Sequence, residues 1–179
     1  KLHEINDQTK NGKWFKPAGN SLSNKKVCLI GFGDIGRSTA RKLLAFNLNV
    51  FVSDPGFEKV NNEIICKYNS NIIVPQSIQN VNITTLDVAI DNADFIIATC
   101  ALNKHTHHLV NKDNIIKAKK GVKIINVARG PVVKEADVVE LLENKFISAV
   151  GFDVFEIEPL PLESRLRDFP QNFFGSHNG

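Results

Sequence analysis

Gly31, Gly33 and Gly36 lie in the run Gly-Phe-Gly-Asp-Ile-Gly, and Asp54 follows 18 residues after the last of them. Glycines at this spacing let a backbone do what side chains prevent. The first permits a tight turn, the second lets an anion approach the main chain, and the third lets a helix pack closely on a sheet. The amides of Asp34 and Ile35, at the start of such a helix, lack intrahelical partners and suit a pyrophosphate. A carboxylate at Asp54 can accept from both hydroxyls of a ribose, and its charge repels an added phosphate there. No arginine follows it, so the chemistry is that of a dinucleotide, NAD rather than NADP. An S-adenosylmethionine site uses a comparable glycine turn and acidic ribose partner, which would make the chain a methyltransferase. The third glycine, opening a helix, favours the dinucleotide.

That chemistry requires a strand before the glycines and a helix after them, and the flanking residues supply both. Val27–Ile30 is a continuous apolar run of strand length, and Gly36, Ala40, Leu43 and Leu44 recur at helical spacing. Val50–Val52 reads as a second strand closed by Asp54-Pro55. Residues 55–83 are rich in asparagine, and only Ile72–Val74 suggests a strand there. Thr84-Thr85 is expected to cap a helix through Asn92, and Asn111 a helix carrying Ile115 and Ile116 that Gly121 ends. Further strands are expected at Asp94–Cys100, Lys123–Val127, Ile147–Phe152 and Asn172–Phe174, with a helix over Lys134–Asn144 and a proline-rich loop over residues 156–170. Short apolar strands alternating with helices specify a doubly wound parallel α/β sheet. Residues 1–24 read as a helix end and linker, and residues 25–179 as the dinucleotide-binding domain.

Composition agrees. Of 179 residues, 42% are apolar and 23% charged, too hydrophobic for disorder and enough for one core. No run approaches the roughly 18 apolar residues of a membrane span. The net charge of +3 is spread along the chain, which argues against a nucleic-acid footprint. Cys28, Cys66 and Cys100 are odd in number and lack metal-ligand spacing, so reduced thiols in a cytoplasmic protein are expected. The chain begins without methionine and contains none, as a piece of something longer would.

Four stretches occur in one order: the glycine loop, Asn126-Val127-Ala128-Arg129-Gly130-Pro131, Gly151-Phe152-Asp153-Val154-Phe155-Glu156-Ile157-Glu158-Pro159, and Gly175-Ser176-His177-Asn178. Together they resemble the coenzyme domain of the D-isomer-specific 2-hydroxyacid dehydrogenases, the family of phosphoglycerate, D-lactate and glycerate dehydrogenases. The resemblance implies a catalytic trio. Arg129 would clamp the carboxylate and carbonyl of a 2-oxo acid through its fork of donors. His177 would be the general acid and base, and Glu158 would steady its charged form. It also implies cofactor contacts: Cys100 at the nicotinamide half, the backbone of Val127 and Ala128 beside Arg129, and Asp153 at the nicotinamide carboxamide. Three positions depart from the family pattern: Ala101 for proline, Pro131 for glycine and Lys134 for aspartate. None removes a functional group.

His105, His107 and His108, with Cys100 nearby, could in principle bind zinc. The family gives this segment no metal role, and none is expected. The implied reaction is hydride transfer between NAD(H) and a 2-hydroxy or 2-oxo acid, with 3-phosphoglycerate or a close relative as substrate. A homodimer is implied too. The family's substrate domain, built from both chain ends, is absent from these residues, so they are expected to bind NAD(H) but to turn over slowly or not at all. The alternative is a non-catalytic NAD-sensing scaffold resembling the family's corepressors.

Overall fold

A computed structural model describes residues 2–179. Its framework begins at β1 (Lys26–Ile30), where every residue after Lys26 is buried. β2 (Asn49–Ser53) pairs with one side of β1 and β6 (Phe95–Ala98) with the other, both parallel. β5 (Asn82–Ile83) extends the sheet beyond β2, while β7 (Val122–Asn126), β8 (Ile147–Phe152) and β9 (Phe173–Phe174) extend it beyond β6. The order is β5-β2-β1-β6-β7-β8-β9, and all neighbours run parallel. The chain therefore reverses its direction of winding between β1 and β6. In open α/β sheets a crevice for ligands opens there, beyond the strand C-termini.

Because side chains alternate along a strand, β1 feeds two cores. Val27 and Leu29 pack with Ala40 of α2 (Asp34–Ala45) on one face. Cys28 and Ile30 pack on the other with α3 (Leu86–Ile90), α4 (Lys112–Ile115) and α5 (Glu135–Glu143), through Ile90, Ile115, Val138, Leu141 and Leu142. The doubly wound α/β architecture is thus present. α1 (Leu2–Lys10) precedes it, joined by a segment of turns and coil.

The departures from expectation concentrate between β2 and β5. Ile72–Val74 is not a strand; it is coil, with Val74 turned into the core and Ile73 exposed. An antiparallel hairpin stands before it instead, β3 (Phe57–Val60) with β4 (Glu63–Cys66). Its two-residue turn, Asn61-Asn62, has φ of 48° and 67°. Asparagine tolerates that left-handed region, which a tight hairpin requires at both central positions. The Thr85 hydroxyl does not cap α3, which stops at Ile90 rather than Asn92. Asn92 instead takes φ of 52° and donates its amide to the Lys117 carbonyl. Asn111 does cap α4, accepting from the Asn114 amide, but the helix ends at Ile115, well before Gly121. Among the described residues no helix is long and apolar enough to cross a membrane.

Candidate cofactor cleft and active site

The glycine loop leaves β1 at the switch point, and each glycine meets a different surrounding. Gly31 has φ of 95°, and a Cβ there would stand 2.7 Å from the Cys100 backbone. A Cβ on Gly36 would stand 2.2 Å from the Gly31 carbonyl oxygen. Thr99 closes the same corner: its amide donates to the Ile30 carbonyl, and its hydroxyl lies 3.0 Å from the carbonyl oxygens of Ile30 and Gly31. Gly33 differs. It is the N-cap of α2, makes no side-chain cap, and a Cβ there would find nothing within 4 Å. The fold needs Gly31 and Gly36 for packing, whereas among the described residues no atom fills the space over Gly33.

Two carboxylates flank this loop. Asp34 points outward to Arg37, so it and the exposed Ile35 offer the cleft their amides rather than their side chains. Asp54, at the end of β2, accepts the Phe32 amide on Oδ2 and the Gly56 amide on Oδ1, each at 2.7 Å. A carboxylate has about four acceptor sites. Two therefore remain for ribose hydroxyls, and the backbone bonds hold them beside the loop. An open cradle at Gly33, unpaired first-turn amides and a fixed acceptor beyond them fit a dinucleotide.

The second cluster forms where β7, β8 and β9 end. Asn126, the last residue of β7, is buried; its Oδ1 accepts the Ala128 amide and its Nδ2 donates to the Arg129 carbonyl. That side chain folds residues 127–129 into a tight bend, with the Val127 amide on the Ala98 carbonyl and Ala128 packed beside Ala98 and Cys100. Arg129 emerges exposed, its guanidinium donating to the Ala128 carbonyl. Gly130 is pinned: a Cβ would lie 1.8 Å from the Phe155 carbonyl oxygen. The loop after β8 is held as well, because the Glu156 amide donates to Glu135. Burial pushes the Glu135 carboxyl up, and the Glu156 amide opposes that.

Glu158 and His177 meet here. Glu158 Oε1 accepts the Phe155 amide at 3.0 Å, and Oε2 lies 2.7 Å from His177 Nδ1. The His177 contact, then the Phe155 amide and the more distant Arg129 charge, hold the Glu158 carboxyl below its usual range. With Nδ1 so engaged, Nε2 is the ring nitrogen left to exchange a proton. His177 sits at φ of 61°, fixed by its amide on the Asp153 carbonyl. The Asp153 carboxylate accepts the Gly179 amide at 2.9 Å and crowds Gly175, so it braces the segment that carries His177. Phe155, Leu160, Arg167 and Phe174 complete an open cavity of ≈ 550 Å³ around Glu158 and His177.

The structure brings Glu158 and His177 into contact and Arg129 into electrostatic range of Glu158. Gly31, Gly33, Gly36, Asp54 and Cys100 gather at the neighbouring switch point, where burial pushes the Cys100 thiol up. The histidines do not form a ligand set. His108 Nε2 meets Glu156 Oε1 at 2.5 Å, and among the described residues no three metal-ligating side chains converge. Thr99, Asn126 and Glu135 were missed as shaping residues. Asn126 alone carried a signal, a polar residue ending an apolar strand.

The family model for the D-isomer specific 2-hydroxyacid dehydrogenase, NAD binding domain, matches residues 1–179. A D-3-phosphoglycerate dehydrogenase of Bacillus subtilis is 34% identical over 180 residues, covering 99% of this chain and 31% of the relative. A glyoxylate reductase of Thermofilum pendens is 31% identical over 183 residues, covering 99% and 50%. The crystal structure of a glyoxylate reductase from Paecilomyes thermophila superposes with a TM-score of 0.77 at 27% identity, covering 98% and 49%. The chain thus spans between about a third and a half of these relatives' length. The relatives are named as dehydrogenases and reductases, and none supports the scaffold alternative.

Proposed function

From the premise that this chain belongs to the D-isomer specific 2-hydroxyacid dehydrogenase family, as an NAD-binding domain, we propose that it forms the coenzyme half of an enzyme that interconverts D-2-hydroxy acids and 2-oxo acids. The observation that carries this reading is the 2.7 Å contact between His177 and Glu158 at the same sheet edge as the glycine loop. NAD(H), when bound, supplies or accepts the hydride.

The residues divide the remaining tasks. The cradle at Gly33, between Gly31 and Gly36, with the amides of Asp34 and Ile35, holds a pyrophosphate at the positive end of α2. Asp54 takes the adenosine ribose and disfavours a 2′-phosphate. Cys100, Val127, Ala128 and Asp153 border the nicotinamide side. Arg129 clamps the substrate carboxylate with paired donors. His177 Nε2 delivers a proton to the carbonyl oxygen in reduction and removes it in oxidation. Glu158 orients the imidazole and compensates its charge when protonated. No step requires a metal. We place 3-phosphoglycerate or a related 2-hydroxy acid first among substrates, in keeping with the name of the Bacillus relative. We also place the enzyme in the cytoplasm as a homodimer, which fractionation and sedimentation test directly.

A titration with NADH tests the cofactor role, and a panel of 2-oxo acids with the whole enzyme tests the activity. His177→Ala is expected to retain NADH binding and lose turnover. Undiminished turnover by His177→Ala overturns the assignment.

A further inference from the structure

Parallel neighbours such as β2 and β5 need a crossover, usually an α-helix. Here the crossover is the β3–β4 hairpin followed by coil and a 3-10 turn at Gln76–Ile78. The hairpin is firmly seated. Phe57 packs edge-on against Phe32 with ring centroids 5.2 Å apart, and Ile64 is buried in the core. Gln79 accepts the Ile64 amide and donates to the Val74 carbonyl, and the Lys59 ammonium donates to the Gln79 carbonyl.

The strand leaving the hairpin returns to the ribose acceptor. The Lys67 amide donates to the Gly56 carbonyl at 2.8 Å, and the ring of Tyr68 lies 3.6 Å from where a Gly56 Cβ would stand. That same point is 3.0 Å from Asp54 Oδ1. Gly56 is buried, yet Tyr68 itself is 79% exposed. An aromatic ring thus stands near the carboxylate with most of its surface facing solvent. A pyrophosphate at α2 and a ribose at Asp54 would put the purine beyond Asp54, on the β2 side, away from His177. Tyr68 stands on that side, beside Gly56.

We propose that Tyr68 forms a wall of the adenine subsite and packs its ring against the purine of the bound dinucleotide. The proposal rests on the NAD reading above and adds a residue that the glycine motif does not contain. Stacking of a base on an aromatic side chain is worth about 1–3 kcal/mol by alanine substitution, so the loss on removal is about 5- to 150-fold in Kd.

The test compares NADH, ADP-ribose and reduced nicotinamide mononucleotide on the unaltered protein, Tyr68→Ala and Tyr68→Phe. Tyr68→Ala is expected to weaken NADH and ADP-ribose by about tenfold or more while leaving the mononucleotide unchanged. Tyr68→Phe, which keeps the ring, is expected to bind all three normally. Tyr68 is the one tyrosine among the 179 residues, so selectively labelled tyrosine reports on the same site. Its ring resonances should shift with ADP-ribose and not with the mononucleotide. Unchanged ADP-ribose affinity in Tyr68→Ala, or equal losses for all three ligands, overturns the proposal and leaves the NAD reading intact. Failure of the unaltered protein to bind NADH overturns both.

Discussion

Replacing Gly33 and Gly36 one at a time by alanine separates what the glycine loop does for the fold from what it does for a ligand. At Gly36 the new methyl would stand 2.2 Å from the Gly31 carbonyl oxygen, which belongs to backbone tied to the Ser53 carbonyl. Overpacking against a group that cannot yield belongs at the upper end of ~1–3 kcal/mol, and the helical preference of alanine over glycine returns about 1. The net loss is about 2 kcal/mol, or roughly 4–8 °C in Tm for a chain of this size. At Gly33 a methyl meets nothing within 4 Å, and the backbone at φ −66° and ψ −164° is open to any residue. The cost is the weaker N-cap, at most about 1 kcal/mol, or up to roughly 4 °C. Its effect on pyrophosphate is larger, because a methyl over the cradle holds the anion away from the amides. Losing one charge-assisted hydrogen bond costs about 1.5–3 kcal/mol, or roughly 10- to 150-fold in NADH affinity. Thermal melts and NADH fluorescence titrations on both variants measure the two effects. Wild-type NADH affinity in Gly33→Ala would refute the cradle, and a greater Tm loss at Gly33 than at Gly36 would refute the packing argument.

Four further outcomes are expected. His177→Ala should lower kcat of the whole enzyme by about 10²- to 10⁴-fold, with Glu158→Gln falling between it and the unaltered enzyme, in steady-state assays. Asp54→Asn should raise the affinity for NADPH relative to NADH in competitive titrations, because the repulsion of a 2′-phosphate is removed. Gly130→Ala should fail to reach a native melt, since its methyl would lie 1.8 Å from the Phe155 carbonyl oxygen, between two backbone segments. Tm should fall in acid. Asp137 is pushed up by burial, but the Lys112 amide and the Lys134 ammonium outweigh this and hold its carboxyl below the ordinary range. A carboxyl lowered on folding adds stability above its unfolded pKa, which is lost as pH drops through the folded value, so Asp137→Asn should flatten the acid limb of Tm against pH.

The sheet was legible because its signals are local. A buried parallel strand is a short apolar run, and β1, β2, β7 and β8 each show one, whereas residues 55–83 mislead for an equally physical reason. Ile72–Val74 has the composition of a strand, but a strand exists only where an edge accepts it. The edge of β2 is taken by Asn82–Ile83, two residues with far less apolar character. The hairpin carried its own signal in Asn61-Asn62, whose side chains tolerate positive φ, but dense asparagine across the region hid it. Glu158 and His177 were legible only through family resemblance. They are 19 residues apart in sequence, and no periodicity links the end of β8 to the segment beyond β9. Thr99 gave no signal because its role arises from register: parallel pairing of β1 with β6 brings Thr99 to the Gly31 carbonyl.

The same register would let one end of the sheet serve the two kinds of chemistry proposed. Ile30 of β1 pairs with Ala98 of β6, which pairs with Asn126 of β7, which pairs with Phe152 of β8. Four strands therefore end level, and the residue after each begins a loop on the same side: Gly31, Thr99, Val127 and Asp153. In the proposed reading, phosphate and ribose groups would gather over the first loop, where Asp54 is held by backbone amides. The proposed proton transfer would take place over the last two, where Asn126, Gly130 and Glu135 clamp the loops carrying Arg129 and Glu158. If level strand ends set this division, disturbing the clamp should impair catalysis and spare the ADP-ribose half of the cofactor. Asn126→Ala leaves the Ala128 amide and the Arg129 carbonyl without their partner while the glycine loop is untouched. Its kcat should fall at least tenfold with ADP-ribose affinity within about twofold, each tenfold being 1.4 kcal/mol. An equal loss in both would mean that the two ends of the cleft are built as one unit.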